Sequence, residues 1–135
     1  MPFRMRNTIG TLAALLSAVA VLTGAFGAHG LQKITTDASV IEPYKTAVQY
    51  LLWHGLALLV LWATADRFTA RRFKLICLFF VGGIFLFCGS LFLVTLFKIK
   101  QLTAPWLVYL TPIGGLFFVA GWVLLALTLI GKERN

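Results

Sequence analysis

The chain predicts an all-α membrane protein, a four-transmembrane-helix bundle with both termini in the cytoplasm. Three observations carry that expectation. Four long apolar runs fill most of the 135 residues. Hydrophobic residues make up 60% and charged residues 12% of the chain, whereas soluble domains carry roughly a quarter charged. The basic residues, finally, gather in the breaks between the runs. Thr8 to Leu31, Ala47 to Ala65, Leu75 to Phe97 and Leu102 to Ile130 hold 24, 19, 23 and 29 residues without a formal charge, His29 taken as neutral. A bilayer core needs about 20. Residues 1–135 therefore read as a single integral membrane domain with spans near 8–29, 45–65, 75–97 and 105–130.

Orientation follows from where Lys and Arg fall. Eight lie on one side: Arg4, Arg6, Arg67, Arg71, Arg72, Lys74, Lys132 and Arg134. The other side has Lys33, Lys45, Lys98 and Lys100, offset by Asp37 and Glu42. The positive-inside rule then puts both termini in the cytoplasm. The formal net charge of +8 would suggest nucleic acid in a soluble protein. Here the bases flank apolar spans, so anionic headgroups are the nearer partner and no nucleic-acid partner is expected.

In the first span, Arg4 and Arg6 before an apolar run resemble a secretory signal, but the run continues through Ala28, beyond the 7 to 15 residues of a signal core. Small residues at Gly10, Ala14, Ser17, Gly24 and Ala28, with Ala20 and Gly24 four apart, predict a face that lets another helix approach closely. The break from Gly30 to Lys45 supplies Thr35, Thr36, Ser39 and Pro43 to start the second helix, with Pro43 suited to a first turn. Within that helix, Thr46, Tyr50 and His54 step by four and form one polar stripe, which should point into the bundle.

The third span carries two grooves, one along Gly82, Leu86, Gly89 and Leu93 and one along Gly83, Phe87, Ser90 and Val94. In the fourth, Gly114, Phe118, Gly121 and Leu125 form a smooth line. Pro105 and Pro112 fall in its first third, where missing amides do least damage. Trp53, Trp62, Trp106 and Trp122 read as anchors at the headgroup boundary.

Chemistry is thinly supplied. The spans contain no Asp or Glu, so the two histidines lack the further ligands a metal or haem would need. No cofactor or metal is expected. Along straight helices His54 lies roughly 15 Å deeper than His29, which works against direct pairing. Cys77 and Cys88, eleven residues apart on one helix, are too far separated to bridge. There is no nucleophile triad, phosphate loop or carboxylate pair, so no enzyme is expected.

Particular strings nevertheless point to a family. Gly24-Ala25-Phe26-Gly27-Ala28-His29, the pattern Thr46, Tyr50, His54, Leu56, Ala57, the segment Phe87 to Leu91, and Thr111-Pro112-Ile113-Gly114-Gly115 through Gly121-Trp122 resemble domain-of-unknown-function family 423. That family includes small bacterial inner-membrane proteins and relatives of eukaryotic transmembrane protein 256. The resemblance implies four spans with an uncleaved first helix and a location in the bacterial inner (plasma) membrane. It also marks Gly24, Gly27, Gly89, Gly114, Gly115, Gly121 and Trp122 as a helix-packing motif. Leu51, Cys88 and Phe92 depart from its usual Gln, Ser and Tyr, each with loss of a polar group.

Both readings predict a polar cluster of His29, Tyr50, His54, Ser90 and Thr111 in the outer half of the bundle. They favour a non-enzymatic membrane module that binds a lipid or hydrophobic ligand, or a membrane protein partner, with a homo-oligomer as one form of partner. An oligomeric transporter or channel for a small solute is the alternative, and a haem- or metal-binding electron-transfer accessory subunit the third.

Overall fold

In a computed structural model the described residues, 3–132, are helical almost throughout. Helix α1 runs Phe3–His29, the single turn α2 Leu31–Ile34, and α3 Ala38–Ala63. After a 3₁₀ turn at Ala65–Arg67 come α4, Ala70–Gly83, a π-helical turn at Ile84–Cys88, and α5, Gly89–Ile99. The last helix, α6, spans Leu107–Lys132. Four stretches are long and apolar enough to cross a bilayer: 6–34, 38–63, 70–99 and 107–131. Arg134 of the charge asymmetry lies outside the described residues, as do the side chains of Arg4 and Lys132.

The second span begins at Ala38, not near residue 45. Asp37 caps it, its carboxylate accepting from the Ser39 N–H at 2.8 Å and the Ser39 hydroxyl at 3.0 Å. Those two bonds, with Lys98 nearby, hold the Asp37 carboxyl below its ordinary value. Pro43 is therefore the sixth helical residue, not a first-turn one. A proline there cannot bond the carbonyl four residues back, which is that of Ser39. Lys98 Nζ, from α5, donates to that carbonyl at 2.9 Å. A donor from another helix thus makes a second-turn proline tolerable.

Helix α1 packs along α3 through small residues. Gly10, Ala13, Ser17, Ala20, Gly24 and Gly27 alternate steps of three and four and face inward, the 3.5-residue period of a supercoiled pair. Ala14 and Ala28, expected on this face, are exposed, because a four-residue step drifts off a seam whose mean step is 3.5. An added Cβ would meet the Trp62 ring at 2.7 Å from Gly10 and Tyr44 Cε1 at 2.7 Å from Gly27, and Val48 Cγ1 at 3.4 Å from Gly24. Gly55 of α3 has the same relation to Ser17, whose Oγ would lie 2.7 Å away. Glycine brings the two backbones together where lipid provides no hydrophobic force to do so.

The π-turn changes the partner of the third span. Below it α4 lies mainly against α6; above it α5 lies mainly against α3. One inserted residue rotates everything downstream by about 100° relative to an unbroken helix. The groove expected along Gly82 and Gly89 is broken for this reason. Gly82 packs on the Phe117 ring, with 2.8 Å to an added Cβ, whereas Gly89 has nothing within 4 Å. Gly89 therefore leaves the helix-packing set.

Helix α6 keeps the expected line, with Gly114, Phe118 and Gly121 buried. At Gly114 the fit is backbone to backbone: a Cβ would collide with the Phe87 amide nitrogen and lie 2.8 Å from Phe87 Cα. Gly121 seats the Phe80 ring at 2.6 Å, while Gly115 is looser, 3.8 Å from Phe87. Phe73, Ile76, Phe80, Leu51 and Leu58 fill the centre with Cys77, Cys88 and Phe118.

Candidate functional site

Among the described residues, two hydrogen bonds join polar side chains of different spans, and they form two separate pairs. The first centres on His54, 3% exposed in the middle of α3. Its Nδ1 lies 2.8 Å from the Tyr50 carbonyl, one turn back. Its Nε2 is 3.1 Å from Trp122 Nε1, an obligate donor. Nε2 must accept, so the proton of the neutral ring sits on Nδ1 and donates to Tyr50. The imidazole also stacks on Phe118, centroids 3.6 Å apart at 14°, with the Phe80 edge against it at 5.4 Å. Both nitrogens are engaged: Nδ1 carries the proton, and the lone pair of Nε2 accepts from Trp122. Among the described residues, no three His, Cys, Asp or Glu gather into a metal site.

The second pair joins Ser90 to Thr111, hydroxyls 2.7 Å apart. Ser90 donates its hydrogen to the Phe87 carbonyl at 2.9 Å, in the π-turn. Thr111 is then the donor to Ser90. Eleven residues separate Thr111 from Trp122 on α6, about 16 Å of rise. Between the pairs lies an aromatic layer. Tyr50 contacts Phe87 at 4.6 Å, and Phe118 lies 5.9 Å from Tyr50 and 5.6 Å from Phe87.

The expected cluster of five residues is therefore not one site. His54 pairs with Trp122, with Tyr50 supplying its backbone carbonyl and a neighbouring ring, and Ser90 and Thr111 form their own pair. His29 joins neither. It is exposed at the last residue of α1, and the antiparallel register that sets Gly27 beside Tyr44 and Ser17 beside Gly55 leaves it about eleven residues, roughly 16 Å, from the level of His54.

Trp122, expected in helix packing and at a boundary belt, lies well inside α6, 46% exposed and with its N–H turned to His54. Trp53, too, stands near the middle of α3. No local signal marks the His54–Trp122 bond, because its partners are 68 residues apart. Leu51 and Cys88 are buried in the core, and Phe92 presents an edge to Tyr44 at 5.3 Å. The three polar groups absent from the sequence would all have stood in packed surroundings.

Comparison with known proteins places this arrangement in a family. Residues 23–115 match the family described as "Protein of unknown function (DUF423)". The chain belongs to that family. Its DUF423 relatives include a UPF0382 membrane protein of Staphylococcus haemolyticus, 38% identical over 117 residues, which cover 87% of this chain and 90% of the relative. The UPF0382 membrane protein YwdK of Bacillus subtilis is 32% identical over 120 residues, 88% and 93% of the two chains. A UPF0382 membrane protein of Haemophilus influenzae is 35% identical over 122 residues, 90% and 93%. None of the three carries an enzymatic name. No solved structure matches. The DUF423 match takes in Tyr50, His54, Ser90, Thr111 and Gly114 and ends before Trp122.

Proposed function

We propose that the protein acts by binding inside the membrane and not by covalent chemistry: the bundle holds a lipid or hydrophobic ligand, or seats a membrane protein, on its outer helix faces. One observation carries this reading. Among the described residues every buried side-chain nitrogen and oxygen is hydrogen-bonded within the chain, while the outward faces are apolar, with Leu22 70%, Leu116 68% and Phe85 66% exposed. A solute path would need polar groups left free to line it. Here the buried ones are spent on holding helices together, and most of what remains outward is a surface for apolar partners.

Orientation belongs to the same proposal. At one end of the bundle Arg6, Arg67, Arg71, Arg72 and Lys74 stand against the single acid Asp66 among side chains described there, which supports a cytoplasmic location for both termini in the inner membrane. A reporter fused to the C-terminus and active only in the cytoplasm should be active; an inactive one would reverse the topology. The binding role is tested by extraction in native lipid and mass spectrometry of what co-purifies. A specific lipid or membrane protein retained in stoichiometric amount is the expected result. Solute flux through liposomes containing only this protein, with nothing retained, would overturn it.

A further inference from the structure

On the basis of that binding reading, the geometry points to an anionic glycerophospholipid, held by one acyl chain in the groove between α1 and α4 with its phosphate at Lys74. The groove exists because of how α1 packs. Its small-residue seam draws it tightly onto α3, and it barely touches α4. Ile9 and Leu12 of α1 form one wall, Leu78 and Val81 of α4 the other, and Phe73 and Cys77 the floor. The cavity is about 280 Å³ and its only polar lining residue is Lys74.

Depth and charge choose the occupant. Lys74 stands in the second turn of α4, and Val81 lies seven residues further along, about 10 Å deeper by helical rise. A narrow apolar trough that begins at a cation near the headgroup level and runs inward fits a phosphate followed by a hydrocarbon chain. It would leave a soluble polar ligand without partners. The cation is available: the acid at this end, Asp66, is already held by Arg6, whose Nη1 lies 3.1 Å from both its carboxylate oxygens. Lys74 has no ion-pair partner among the described residues, and Arg71 and Arg72 in the preceding turn add to the same field. Lysine at this position extends its stem along the apolar wall and its ammonium toward the headgroups.

The test uses full-length protein in nanodiscs of equimolar phosphatidylglycerol and phosphatidylcholine, released for native mass spectrometry. Wild type should retain phosphatidylglycerol over phosphatidylcholine. Lys74→Gln should cut that preference about fivefold, the worth of one basic residue at an anionic surface. Leu78→Trp, at a side chain 58% exposed, should fill the trough and expel the lipid. Leu127→Trp, at a residue 60% exposed on α6 and away from the trough, should leave lipid retention unchanged and shows that an added ring is tolerated. Phosphatidylglycerol retained equally by wild type, Lys74→Gln and Leu78→Trp would overturn this site but leave the binding reading standing. A second copy of the chain or another protein lost only from Leu78→Trp would overturn the lipid occupant and keep the groove. Retention of neither lipid nor protein by wild type would overturn both.

Discussion

Replacing Gly114 with alanine tests the backbone contact on which α6 depends. The new Cβ would lie 2.8 Å from Phe87 Cα and Cβ and closer still to its nitrogen, whereas ordinary contact begins at 3.4 Å. The helices must separate by at least the difference, about 0.6 Å, because backbone atoms cannot rotate away. Thr111, one turn before Gly114, would be carried off with α6, stretching its 2.7 Å bond to Ser90. Overpacking costs about 1–3 kcal/mol, and a contact with backbone, which cannot rotate aside, takes the upper part of that range, about 2–3, of which alanine's better helix propensity returns roughly 1. The net loss of about 1–2 kcal/mol corresponds to roughly 3–8 °C in a chain of this size. Gly89→Ala is the control: with nothing near its Cβ it should stabilise by about 0.5–1 kcal/mol. Cys77 and Cys88 are both buried thiols, so a thiol-reactive fluorophore reports unfolding in detergent without any added label. Gly114→Ala melting at or above wild type, or Gly89→Ala falling as far as Gly114→Ala, would refute the packing account.

Three further outcomes are expected. Trp122→Phe removes the donor to His54 Nε2 and should cost about 1 kcal/mol; a double-mutant cycle with His54→Phe should show coupling, and strict additivity would break the pair. Ser90→Ala should cost more than Thr111→Val in the same melting assay, since it takes away the acceptor of the Thr111 hydroxyl, whereas Thr111→Val leaves Ser90 still bonded to Phe87. The bonds from Ser39 hold the Asp37 carboxyl below the ordinary carboxylate value, so its cap is complete above that ordinary value and is lost as pH falls through the lower folded-state one. Amide exchange at Ser39 should accelerate in Asp37→Ala at neutral pH, and the difference from wild type should vanish in acid.

Much of this fold is legible in one-dimensional pattern. Charge-free runs mark all four spans, because lipid forbids charge over a length that a sequence displays directly. The seam through Gly114, Phe118 and Gly121 is visible for the same reason: helical period is local. What stays hidden is whatever depends on another helix. Pro43 reads as a first-turn residue until Lys98, fifty-five positions away, is seen to serve the Ser39 carbonyl. The π-turn has no composition of its own, so Gly82 and Gly89 read as one face. Tyr50, His54, Ser90 and Thr111 stand out as polar residues in apolar runs, yet whom they meet is a matter of register. His29 stands out equally, and lies at an exposed helix end.

The extra residue at Ile84–Cys88 gives the third span two addresses. A continuous hydrogen-bonded rod presents one set of side chains to α6 in its first half and another to α3 in its second, with no break and no loop. Deleting one residue, such as the exposed Phe85, would keep an apolar helix long enough to cross the bilayer. It would nevertheless turn Ser90 away from Thr111 and Thr95 away from the α3 carbonyl of Val40. The length of this helix is set by the membrane, and its residue count by the need to face two neighbours at once.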